Sequence, residues 1–222
     1  MDLDQALTTT RAVRRRLDLD RPVSLGVLKE CLTLAFQAPT AGGVERWRWL
    51  FVTEKETRAD IATLYREASV ESFRAAHEAA RNDSTRRAYA GALALAETLE
   101  HVPVLVIPCL NGEPRSWNNQ SAAPFYGSIF PAVWSFQLAL RSRGLGSTLT
   151  TAHLKVADRV GQRLAIPEDV TQVGLLPVAY TLGTNFKPAT RATAEDVAFL
   201  ERWGSAFGSA STTTDAGLVP GD

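Results

Sequence analysis

This sequence predicts one α/β or α+β domain over residues 1–203, followed by a flexible tail over residues 204–222 rich in Gly, Ser, Thr and Ala. Three observations carry that prediction. Helical and strand-like hydrophobic patterns alternate from residue 24 to residue 203 with no break in composition and no internal repeat. The 222 residues are 45% hydrophobic and 22% charged, and a domain of that length buries roughly 70–75% of its unfolded surface without staples. Lys+Arg and Asp+Glu both number 24, which excludes the basic excess of a bulk nucleic-acid binder and the acidic profile of a disordered chain.

The elements follow in order. Ser24 precedes Leu25, Leu28, Cys31, Leu32, Ala35 and Phe36, a helical stripe with an N-cap residue in front and Pro39 behind. Residues 49–52 read as a short buried strand. Residues 55–100, rich in Ala, Arg and Glu, read as two amphipathic helices with Asn82-Asp83-Ser84 as break and cap. Residues 104–107 form the next strand. The stretch over 128–142 is apolar on nearly every side and predicts a buried helix closed by Gly144. A strand over 147–151, a surface helix over 155–164 and a core strand over 173–181 come next. Thr193-Ala194-Glu195-Asp196 resembles a capping box opening a last helix that reaches Trp203.

Side-chain catalysis finds little support. His77, His101 and His153 stand in no metal-binding spacing, and the two cysteines, Cys31 and Cys109, are too few for a disulfide framework or a Cys-rich metal site. There is no G-x-S-x-G elbow and no Walker A loop. No side chain is therefore assigned a catalytic role and no metal is expected; an enzyme of this kind leaves the hard step to a cofactor. The acidic start, Met1-Asp2-Leu3-Asp4, has no apolar leader and no stretch is long enough to span a bilayer, so a cytoplasmic protein without membrane or nucleic-acid partners is expected.

Three clusters suit a cofactor. Arg11, Arg14, Arg15 and Arg16 put four arginines in six residues, and the planar guanidinium fork binds phosphate oxygens in pairs. The alternative is a solvated basic face balanced by Asp2, Asp4, Asp18 and Asp20. Residues 37–47 contain a Pro-Thr-Ala-Gly-Gly turn whose small side chains let backbone approach a flat ligand. Packing alone also explains such a turn. Residues 126–134, continuing through Gly144-Leu145-Gly146 to Thr150-Thr151, pair a buried helix with a hydroxyl-rich strand. That helix reads equally as plain core.

In order and spacing the three clusters resemble the nitroreductase family of FMN-dependent, NAD(P)H-oxidising flavoproteins. Arg11-Ala12-Val13-Arg14 with Pro22-Val23 matches its R-S-x-R phosphate motif and the P-V that follows; residues 38–49 match its A-P-S-S-G-N-x-Q-P-W-R-F segment. Residues 128–147 match its helix ending in A-x-G-L-G, and Ile166-Pro167-Glu168, Leu182-Gly183 and Arg191 its late segment. The resemblance runs from about Thr8 to Trp203. It implies an α+β fold, a mixed β-sheet flanked by helices in an intertwined homodimer. It implies that Arg11, Ala12 and Arg14 face the FMN phosphate, joined by Arg191, with Lys187 the weaker candidate for that late position. Pro39, Thr40, Ala41 and Gly43 would lie along the isoalloxazine from the second subunit. Ser128, Ile129 and Pro131, with Leu149, Thr150 and Thr151, would line its other side.

What the resemblance implies for function is ping-pong hydride transfer from NAD(P)H to the flavin and on to an electron-poor acceptor, a small aromatic such as a nitroaromatic or a quinone. The alternatives are reductive dehalogenation, flavin breakdown, or flavin binding without turnover. Three positions depart from the pattern: Ala12 replaces its serine, and Gly43 and Glu45 replace its Asn and Gln. A carboxylate beside an electron-rich flavin is unfavourable unless Arg46 or Arg48 pairs with it.

Overall fold

Residues 104–111 are apolar almost throughout, as a strand buried on both faces must be. In the computed structural model, which describes residues 1–208, they form the central strand β2 (Val104–Asn111). β1 (Trp47–Val52) lies antiparallel along one side, from Trp47 opposite Leu110 to Val52 opposite Leu105. Along the other side β2 pairs with β5 (Leu176–Tyr180) through Val104–Val106 and with β4 (Val170–Gln172) through Cys109–Asn111. β3 (Leu145–Ser147) pairs with β5, giving the order β1-β2-β5-β3.

Side-chain alternation along β2 divides the core in two. Val104, Val106 and Leu110 point into a cluster with Leu28, Cys31 and Ala35 of α2 (Leu25–Ala35) and Phe136 and Leu140 of α6 (Phe130–Ser142). Leu105, Ile107 and Cys109 point the other way. They meet Ile61 and Tyr65 of α3 (Lys55–Glu78), Leu95 of α4 (Asp83–Thr98) and Val160 of α7 (Ala157–Leu164). Helices thus cover both faces, and the α+β class is as expected. The named strands all pair antiparallel, so the mixed sheet reduces to single parallel bridges, Ala12 with Ser147 and Gly112 with Val170.

The caps follow the sequence closely: Ser24 Oγ accepts from Val27 N–H, and Asn82 Oδ1 from Thr85 N–H at 2.8 Å. Other boundaries moved. A first helix, α1 (Leu3–Thr9), is capped by Asp2, and α5 (Asn119–Gly127), capped by Asn118, precedes α6; neither is among the expected elements. The helix over 128–142 is the second of this pair, the chain bending at Ser128-Ile129 ahead of Pro131. The strand over 147–151 ends at Ser147, and Thr150 instead makes a bridge to Leu175. That bridge interrupts the strand over 173–181, leaving β4 and β5 on either side of Gly174, where an added Cβ would lie 2.5 Å from Leu149 Cδ1.

The described chain divides at Lys187 into a first unit, which holds all these elements, and a second that begins at Pro188. In the second unit the Thr193 capping box is present, but its helix, α8 (Ala194–Val197), stops well before Trp203. It buries no side chain, and four residues without packing do not sustain a helix. Of the tail expected over 204–222, residues 209–222 lie outside the described residues. No described helix is long and apolar enough to cross a membrane.

Candidate functional site

The arginine cluster is held by an N-terminal segment laid along β3. Val13 N–H donates to the Ser147 carbonyl at 2.9 Å, and Val13 packs into the core at 4% exposure. With Val13 turned inward, its neighbours Ala12 and Arg14 face outward. Gly146 makes this approach possible, since a Cβ there would lie 2.6 Å from Thr181 Cγ2 and 3.0 Å from Val13 Cγ2. The Gly-Leu-Gly run therefore has two uses. Gly144, at φ +76°, closes α6 as expected, and Gly146 admits the strand that carries the arginines.

Arg11 through Arg16 line a recess of about 340 Å³ together with Arg87 and Gly91 of α4 and with Phe186. Arg16 is committed to structure: it donates to the Leu182 carbonyl and to Asn185 Oδ1, both at 2.9 Å, and stacks over the Phe186 ring. Arg11, Arg14, Arg15 and Arg87 have no hydrogen bond or ion pair from their side chains among the described residues. The acids that were to balance them are occupied elsewhere or apart. Asp2 caps α1, Asp18 accepts from Asp20 and Arg21 N–H, and neither Asp4 nor Asp20 pairs with the cluster. Arg14 is also partly desolvated, which lowers its pKa, while Tyr65 acts the other way. A half-buried cation without a counter-charge is costly, and an anion relieves that cost.

Arg14 also borders a cavity of about 430 Å³ lined by Tyr65 and Phe73 of α3, Thr85, Tyr89 and Ala92 of α4, and Leu149, Thr150 and Thr151. Reciprocal backbone bonds to Leu175, at 2.9 and 2.8 Å, fix Thr150. Its hydroxyl meets Tyr65 Oη at 2.9 Å. Burial raises the Tyr65 pKa, against the opposing effects of the Thr150 hydrogen bond and the Arg14 charge. The α3–α4 hairpin forms the aromatic wall, with Phe73 standing 6.4 Å from Tyr65 and 6.1 Å from Tyr89 between ring centres.

The remaining candidates gather at a second place. Ala41 N–H donates to Ser128 Oγ at 3.2 Å, and Trp47 Nε1 donates to the Ser128 carbonyl at 2.8 Å. Ser128 thus joins the turn that carries Pro39, Thr40 and Ala41 to the α5–α6 junction. Gly42 and Gly43 lie at φ +64° and +67°, a conformation that side chains disfavour. Pro131 sits in the first turn of α6, and the Ile129 side chain is fully buried in the core. None of these residues lines the cavity or the recess at Arg14, so Leu149, Thr150 and Thr151 keep company with the arginines rather than with Ser128. Glu45 is exposed, and neither Arg46 nor Arg48 pairs with it; Arg48 donates to the Trp47 carbonyl instead. Arg191, in the second unit, is exposed and donates to the Thr190 carbonyl.

Trp47 is core, whereas Trp134 and Phe130 are 41% and 37% exposed. A further cavity, about 840 Å³ between Tyr126 and α7, contains none of the residues expected to bind the cofactor. Sequence reasoning missed Tyr65, Phe73, Tyr89 and Arg87. The three aromatic residues have one visible signal, the placing of rings within otherwise Ala-rich helices, and Arg87 has none.

The model of the Nitroreductase family matches residues 7–180. Solved structures share the fold. A BluB-like flavoprotein from Clostridium difficile 630 is 17% identical with a TM-score of 0.68, the match covering 91% of this chain and 100% of that one. An iodotyrosine deiodinase bound to FMN and 3-iodo-L-tyrosine is 20% identical with a TM-score of 0.67, covering 92% and 100%. The FMN and NADPH-dependent nitroreductase NfnB from Sphigopyxis sp. strain HMH is 19% identical with a TM-score of 0.67, covering 91% and 100%. Spanning the unpaired arginines, the Gly146 crossing and the Thr150 bridge alike, the family match identifies this chain as a member of the nitroreductase family.

Proposed function

We propose that the chain is an FMN-dependent oxidoreductase that takes a hydride from NAD(P)H and passes it to an electron-poor acceptor such as a nitroaromatic or a quinone. The observation that carries this reading is the set of unpaired arginines, Arg11, Arg14 and Arg15, beside an aromatic-walled cavity that shares Arg14 with them. A phosphomonoester brings about −1.5 to −2 charges, which suits the recess, and a flat ring suits walls made by Tyr65, Phe73 and Tyr89. Bound FMN supplies reversible hydride acceptance.

The chain's own residues bind, orient and exclude water. Arg11 and Arg14 hold the phosphate end. The Thr150 backbone, locked to Leu175, presents a fixed edge to the ring. The Tyr65–Thr150 hydroxyl pair holds a proton at Tyr65 Oη next to that edge, and the α3–α4 hairpin keeps water out. Pro39, Thr40, Ala41 and Ser128, remote from this cavity in their own chain, complete the site from a second copy. The exposed Phe36, Phe130 and Trp134 supply apolar surface for that homodimer.

The test is a visible spectrum of the purified protein, followed by anaerobic addition of NADH and of NADPH. Flavin absorbance bleached by either donor supports the reading; a colourless protein that takes up no FMN on titration refutes it. Bound FMN that neither donor bleaches leaves flavin binding without turnover. Product analysis after anaerobic reduction separates nitro or quinone reduction from dehalogenation or flavin breakdown.

A further inference from the structure

Helix α4 places Arg87 and Gly91 one turn apart on the same face. That face is turned to the N-terminal segment, because a Cβ on Gly91 would lie 3.3 Å from Arg14 Cδ. Arg87 accordingly borders the recess lined by Arg11, Ala12 and Arg15. Among the described residues it has neither hydrogen bond nor ion pair. Its neighbour Arg86 is spent locally, 3.2 Å from Asp83 and donating to the Ala80 carbonyl at 3.1 Å. Ala12 brings no side-chain donor to the recess, and α4 brings one from the opposite wall.

We infer that Arg87 is a ligand of the FMN phosphate, supplying the donor that Ala12 lacks. The same contact fastens α4 to the phosphate, and with it the wall of the neighbouring cavity that carries Tyr89. The inference rests on the FMN reading above, and the experiment keeps the two apart. The full chain, freed of flavin, is titrated with FMN and with riboflavin while flavin fluorescence is followed, in the wild type and in Arg87→Ala, Arg87→Lys and Arg86→Ala.

Loss of one charge-assisted contact weakens FMN binding about ten- to one-hundred-fold in Arg87→Ala. Riboflavin, which has no phosphate, binds that variant as it binds the wild type. Arg86→Ala retains wild-type affinity, and Arg87→Lys recovers part of the loss. Equal weakening of FMN and riboflavin overturns the phosphate contact. Unchanged FMN affinity in Arg87→Ala overturns it as well, and if Arg11→Ala with Arg14→Ala still weakens FMN, the FMN reading stands. A wild-type chain that binds no FMN overturns both.

Discussion

His153 is fully buried, and among the described residues neither ring nitrogen has a hydrogen-bond partner. Burial favours the neutral ring and pushes its pKa from 6.5 down to about 4. The sign follows directly. Below pH 6.5 the unfolded chain takes up a proton that the folded chain refuses, so stability is complete above that pH and is lost as pH falls towards 4. The full displacement corresponds to about 3 kcal/mol, and about 2.5 kcal/mol of it is lost by roughly pH 4.5. His153→Leu, close in volume, removes both unsatisfied nitrogens and the titration together. Urea unfolding of wild type and variant at about pH 7.5 and 4.5 gives the comparison. At the higher pH the variant is expected to be more stable by about 1–3 kcal/mol, the cost of buried unpaired polar atoms. At the lower pH its advantage should widen by about 2.5 kcal/mol. Carboxylates that titrate in the same range cancel in the difference. A stability gap that does not change with pH would refute the reasoning, because it would mean that the ring reaches a proton or a partner in the folded state.

Three further outcomes are expected. Gly146→Ala forces a methyl against Thr181 and Val13, costing about 1–3 kcal/mol in a thermal melt and loosening FMN binding by displacing the segment that carries Arg11 and Arg14; a variant with unchanged melting and affinity would contradict the close crossing. Tyr65→Phe removes the 2.9 Å bond to Thr150 and should lower stability by about 1 kcal/mol, read by denaturant unfolding at neutral pH, with FMN still bound. Burial raises both thiols, Cys109 to about 12, so Cys31 and Cys109 should stay unreactive towards a thiol-specific disulfide reagent near pH 8 until the chain is unfolded.

The sheet was legible wherever side-chain periodicity alone decides it. The short apolar run at 104–107, bounded by Pro103 and Pro108, reads as a buried strand, and Ser24 and Asn82 marked helix starts that the cap hydrogen bonds realise. What the sequence hid depends on contacts between distant residues. The strand over 173–181 splits because Leu149 lies against Gly174 and Thr150 takes the backbone of Leu175, a competition that local pattern cannot reveal. The helix at 119–127 carries Pro124 inside it, which reads as a breaker. Of the site, the arginine density was visible as composition. Tyr65, Phe73, Tyr89 and Arg87 were not, since each sits in an amphipathic helix where an aromatic or an arginine is ordinary, and only the hairpin's approach to Thr150 and to the N-terminal segment gives the three rings a shared cavity and brings Arg87 to the recess beside it.

The equality of 24 positive and 24 negative residues conceals an uneven use of charge. Arginine–carboxylate pairs form on the outside of the helices, Arg159 with Glu67 and Arg163 with Asp60, both at 2.6 Å, and Arg143 with Glu30 at 3.3 Å. Such pairs contribute little stability, and none of them involves the cluster at Arg11–Arg16. Asp2 and Asp18 are likewise turned to backbone N–H groups. Among the described residues the cluster at Arg11, Arg14 and Arg15 is therefore left without a carboxylate partner, and its segment is closely held: Val13 is clamped to Ser147, and a Cβ at Gly146 would crowd Thr181 and Val13. The opposite wall is built differently, from two helices joined by a short exposed turn at Arg81-Asn82. Substitutions at Phe73 or Tyr89 can reshape that wall without touching the anion side. Arg87 is the exception, because it belongs to the helical wall and borders the recess of the N-terminal arginines, so an anion that it binds there would tie the position of that wall to occupancy of the recess.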